Sequence, residues 1–110
     1  MAISDKPWGA ITAADYADAG DYCDACLINM NDGQREGWIK DKCKLPVREP
    51  AKMGGAINRN GAHACAAVLA GARGGVQAPS ADKRKAARKL ATMYHGMNEQ
   101  LPDSVRRMAQ

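Results

Sequence analysis

Between Cys43 and Val76 the chain reads CKLPVREPAKMGGAINRNGAHACAAVLAGARGGV, and this stretch limits the fold more than any other. A short extended piece stops at Pro46, and a glycine-rich turn follows over 51–56. Asn58 or Asn60 then opens a helix expected to run to about Ala72, because an Asn side chain accepts from an otherwise unpaired helix-start amide. Nearly every position of that helix is Ala or Gly. Its apolar side carries Ala62, Cys65, Ala66, Val68, Leu69 and Ala72, and Gly74-Gly75 supplies a left-handed stop. A helix of this kind is expected to be central and packed on several sides. Phe is absent, and Trp8, Trp38, Tyr16, Tyr22 and Tyr94 are the only large rings. Close backbone approach must therefore do what bulky side chains do elsewhere.

At 110 residues the chain has material for one domain. The expected class is mostly α (α+β): three to four helices packed with one short β-hairpin, behind an N-terminal arm at 1–11. Thr12-Ala13-Ala14-Asp15 resembles a capping box, so a helix is expected from near Ala13 toward Tyr22, weakened by Gly20. Residues 25–30 suit a strand, and Asn31-Asp32-Gly33 is a turn signal. A second strand over 38–47 would end at Pro46, giving a hairpin at about 25–47. Pro79-Ser80 opens the best helix. Ala86, Ala87, Leu90, Met93, Tyr94 and Met97 follow one helical face, with Arg84, Lys85, Arg88 and Lys89 opposite. Gly96 and Asn98 end it, and Leu101-Pro102-Asp103-Ser104 restarts a short turn through Met108.

The net charge of +4 is unevenly spread. Residues 1–34 hold six acids and one base, whereas residues 56–110 hold nine bases and three acids. Such polarity suits contact with copies of the chain or with a mixed-charge surface, and equally suits two solvated faces. No apolar run approaches the roughly 20 residues that span a bilayer. No charged-then-apolar leader pattern opens the chain. A soluble, intracellular protein without membrane contact is the expectation.

Motifs able to carry chemistry are sparse. Cys23-x-x-Cys26 has zinc-knuckle spacing, and Cys43 with His63 or Cys65 is the fallback completion of a tetrahedral site. Against this, the second half lacks a paired motif. His63 and Cys65 also lie about 200° apart on a helix, by its 100° step. Buried free thiols are the preferred reading of all four cysteines, with no cofactor. Asp15, Asp18, Asp21 and Asp24 recur every third residue, which fits a solvated stripe and not a calcium loop. Neither His63 nor His95 has a nucleophile at a motif spacing, so no catalytic residue is assigned. Arg84, Lys85, Arg88 and Lys89 are candidate phosphate contacts, sequence-independent because no stacking rings interleave them.

Three segments carry a family likeness: Lys44-Leu45-Pro46-Val47-Arg48-Glu49-Pro50, Gly55-Ala56-Ile57-Asn58-Arg59-Asn60-Gly61 and Ala70-Gly71-Ala72-Arg73-Gly74-Gly75-Val76. With Lys6-Pro7-Trp8-Gly9, Asp15-Tyr16, Ala25-Cys26-Leu27-Ile28, Met93-Tyr94 and Leu101-Pro102-Asp103-Ser104, the chain resembles a small module of tailed-phage head proteins. That module occurs in actinophage-type virion proteins and appended to capsid maturation (prohead) proteases. The resemblance implies a non-enzymatic part in head structure or assembly, in the virion or the host cytoplasm, through contacts with capsid proteins or copies of itself. Candidate interaction residues are Trp8 on the arm, Arg48, Asn58, Arg59, Asn60 and Arg73. The rival reading, from the residues alone, is a small nucleic-acid-binding or zinc-stabilised regulatory module.

Overall fold

The structure, a computed structural model, describes residues 2–110. Its elements are β1 (Ile3–Ser4), α1 (Ala19–Ala25), β2 (Cys26–Asn29), β3 (Cys43–Pro46), β4 (Ile57–Asn58), α2 (Arg59–Leu69), α3 (Ser80–Gly96) and α4 (Asp103–Met108). Four helices surround a two-stranded antiparallel sheet, β2 with β3, in one α+β domain, as expected. A second pair, β1 with β4, is parallel and aligns Ile3 with Ile57. Part of the arm at 1–11 is therefore ordered strand, which sequence did not signal because two residues carry no periodicity.

The apolar periodicity of α3 is realised residue for residue. Ala86, Ala87, Leu90, Met93, Tyr94 and Met97 are all buried, and they pack with Leu27, Ile28, Leu45, Val47, Ile57 and the inner face of α2. Fully burying side chains such as Leu27, Ile57 and Leu90 is worth about 1.5–3 kcal/mol each, so this face fixes the helix in place. Asn98, at φ 58°, closes it.

α2 differs from expectation in two ways. It ends at Leu69, not near Ala72, because Gly71 takes φ 112° one residue after the cap and turns the chain out. It also buries one side only: Gly61, Ala62, Cys65, Ala66 and Leu69 face inward, while His63, Ala64 and Ala67 are exposed. The small residues permit close approach on one face, and Ala on the other serves helix propensity alone.

The N-terminal helix also falls short. The Asp15 carboxylate accepts from the Thr12 amide at 2.8 Å as a capping box requires, but only a three-residue 3-10 turn results. Tyr16 is extended and buried, its ring edge-on to Tyr22, and α1 begins afresh behind a second cap where Asp18 accepts from the Asp21 amide at 2.8 Å. Burial of Tyr16 outweighs continuation of the helix.

The hairpin of 25–47 has its two strands but not its expected turn. Asn31-Asp32-Gly33 does not reverse the chain directly, and 38–42 is not strand. The Asn31 side chain holds the loop instead, donating to the Ile39 carbonyl at 3.1 Å and accepting from the Ile39 amide at 2.9 Å. That side chain satisfies the backbone groups that a longer β3 would have paired.

Candidate functional site

The cysteines give the clearest correction. Cys23 and Cys43 form a disulfide with Cα atoms 5.4 Å apart, so neither is a free thiol nor available to a metal. The bond joins the last turn of α1 to the first residue of β3 and closes the long loop between the strands. Its small cluster holds Cys26 as well, with Tyr22 and Trp38 against it. Cys26 and Cys65 are buried and free. Burial pushes both thiols up to about 12, so both stay protonated through neutral pH and neither supplies a thiolate nucleophile. Of the fallback zinc set Cys23, Cys26, Cys43 and His63, the histidine sits elsewhere, on the exposed side of α2. No group of three or more metal-ligating side chains is found among the described residues.

What the fold concentrates instead is a polar node where the arm, the segment after β3 and the start of α2 meet. Asn58 is fully buried. Its carbonyl oxygen accepts from the Gly61 amide at 2.8 Å, capping α2. Its amide nitrogen donates to the Lys6 carbonyl at 3.0 Å and to Glu49 Oε2 at 2.9 Å. Asn60 donates to the same Lys6 carbonyl at 3.2 Å. Glu49 is only 2% exposed. Burial opposes its ionisation, yet hydrogen bonds from Ser4 and Asn58 and the nearby Lys6 charge hold its carboxyl below the usual range. Of the two candidate caps, the structure uses Asn58.

A second polar cluster lies along the exposed edge of α2. Arg59 pairs with Asp5 at 2.6 Å and with Glu99, while His63 Nε2 meets Glu99 Oε1 at 2.6 Å. The Arg59 guanidinium, with His63 assisting against partial desolvation, keeps Glu99 below the ordinary carboxylate range. Arm, α2 and the segment after α3 are thereby tied together.

Trp8 lies half-buried on α2, directly over Gly61. A Cβ at position 61 would stand 2.9 Å from the indole, so the arm docks here because the position is glycine. Trp8 also lines a hollow of about 170 Å³ with Leu45, Pro46, Cys65 and Val68. Arg48 is half-buried, and its carbonyl accepts from the Tyr16 hydroxyl at 2.5 Å. Its residue lines an open groove of about 350 Å³ with Asp24, Leu27, Val47, Lys89 and Met93.

Arg73 stands apart from the node, exposed on a tight turn at φ 56°. Of the six candidate interaction residues, the fold therefore gathers Trp8, Asn58, Arg59 and Asn60, puts Arg48 beside them, and leaves Arg73 alone.

No protein-family model, curated protein or solved structure matches this chain.

Sequence reading did not single out Glu49, Glu99 and Asp5. The signal for Glu49 was its place between Val47 and Pro50 in an apolar extended segment, where a carboxylate must find buried donors. Glu99 and Asp5 carried no local signal, since Arg59 reaches them 40 and 54 residues away. Arg84, Lys85, Arg88 and Lys89 are all exposed on α3, remote in sequence from the node. Among the described residues no helix is long and apolar enough to cross a membrane.

Proposed function

We propose that this chain is a non-enzymatic protein-contact module of a tailed-phage head, a minor capsid, decoration or morphogenesis component. The observation that carries the reading is where the family-like segments go. Residues 6–9, 44–50 and 55–61 meet through Lys6, Glu49 and Asn58, although Lys6 and Asn58 are 52 positions apart. The residues of these three segments that meet are framework residues, whereas 70–76 is a mostly exposed turn, and a framework kept by buried polar pairing suits a rigid part that presents surface to neighbours.

Contacts then fall to exposed side chains around that framework. Ile39 is 50% exposed and Met53 37%, both on loops, and apolar side chains so placed gain from burial against a partner. The occupants implied are head or capsid proteins. The test is quantitative mass spectrometry of purified particles and of immature heads from the phage that encodes the chain. Presence at a fixed ratio to the major head protein is expected, in either fraction and unaffected by chelators. Absence from both overturns the reading.

A further inference from the structure

The outer face of α3 carries four bases, with Asp82 at its N-terminal edge. At 100° per residue, Arg84, Arg88, Lys85 and Lys89 fall within about 140° of arc, opposite the buried Leu90 and Ala86. Arg84 with Arg88 and Lys85 with Lys89 are like-charge pairs one turn apart, an arrangement that costs an isolated helix a few tenths of a kcal/mol per pair. Among the described residues, no carboxylate forms an ion pair with any of the four. Arg88 donates through Nε to the Ala109 carbonyl at 3.0 Å and Lys89 to the Leu27 carbonyl at 3.2 Å. These bonds orient the side chains without neutralising them. α4 packs against α3 and adds exposed Arg107, while its Arg106 is paired with Asp103.

Five of the six acids in residues 1–34 are held by groups of the same chain, Asp5 by Arg59 among them, and Asp32 is exposed. Asp15 accepts from Thr12, Asp18 from the Asp21 amide, and Asp21 from the Ala17 and Ala51 amides. Asp24 pairs with Arg35 at 2.7 Å. Asp5 and Asp24 are neutralised by Arg59 and Arg35, whereas none of the four α3 bases has a carboxylate partner among the described residues. A phosphate polymer supplies what is missing, at one charge per roughly 1.7 Å of duplex axis.

We infer that the exposed face of α3, through Arg84, Lys85, Arg88 and Lys89, binds the phosphate backbone of double-stranded nucleic acid without reading sequence. Tyr94 is buried and His95 is the one exposed ring on this helix, so the face has no row of rings on which successive bases of a single strand could stack.

Fluorescence anisotropy of the full-length, disulfide-bonded chain with a labelled random-sequence duplex tests this. About four phosphate contacts predict that affinity falls about 100-fold between 50 and 200 mM salt. The Arg84→Gln/Lys85→Gln/Arg88→Gln variant should keep its circular dichroism and bind at least 10-fold more weakly at 50 mM. Its salt dependence over the same range should drop below about 5-fold. Arg84→Gln/Lys85→Gln, which spares the Arg88 bond to Ala109, should fall between the two.

Lys42→Gln/Lys52→Gln/Arg73→Gln removes the same charge elsewhere and should bind like the parent. Equal loss in both triple variants reduces the effect to net charge and overturns the assignment. So does binding to phosphatidylserine vesicles, or salt-sensitive self-association in sedimentation, in the absence of duplex binding.

Discussion

At Asn58 one carboxamide serves three partners: the Gly61 amide, the Lys6 carbonyl and the Glu49 carboxylate. Its two ends do different jobs. The oxygen caps a helix, and the nitrogen holds a charged group that burial would otherwise penalise. Asn58→Ala should therefore cost about 1 kcal/mol for the cap and about 2 more for the bond to Glu49. Urea unfolding of the variant against the parent measures this, and a loss no larger than a cap alone would remove the second role. Sequence showed that an asparagine opens this helix but left Asn58 and Asn60 equal. Only Asn58 is flanked by both Glu49 and the Lys6 carbonyl in space, and that distinction is made by segments far away along the chain.

Among the elements, α3 was legible to its ends because its signal is local: a regular apolar face, a proline-serine start, and Gly96 with Asn98 to stop it. Between α1 and β3 only the two strands were legible, and the long loop joining them was not. There the order is set by the Cys23–Cys43 bond and by the Asn31 side chain, both acting across the loop. C-x-x-C spacing drew attention to Cys23 and Cys26 as a pair, whereas Cys23 bonds to Cys43, 20 positions on. A loop of that length confers about 3 kcal/mol when closed, on the chain-entropy account. Reduction, or Cys23→Ser/Cys43→Ser, should lower unfolding free energy by about that amount, read from denaturant midpoints with and without dithiothreitol. No change on reduction would mean the loop is already fixed by Asn31 and the strand pairing.

For the molecule as a whole, Glu49 and Glu99 both join distant segments with carboxyls held below the ordinary range. The sign follows from linkage. A carboxylate lowered in the folded state adds stability above its unfolded value, near 4.3, and that stability is lost as pH falls through the folded value. Thermal midpoints should thus hold between pH 7 and 5 and decline below about pH 4.5. Glu49→Gln combined with Glu99→Gln should flatten the acid limb while lowering stability at pH 7. An unchanged acid limb in that variant would assign the decline to other carboxylates.

The sequence by itself determined the α+β class, the small-residue helix, the amphipathic α3 with its basic face, and the pair β2 and β3. Each depends on periodicity, caps or breakers within a few residues, where local preference and tertiary packing agree. Tertiary structure alone decided which asparagine caps α2, where the arm docks, which cysteines bond, and how Arg59 gains Asp5 and Glu99. Those outcomes join groups tens of residues apart, and their energies come from burial and pairing that no window along the chain contains.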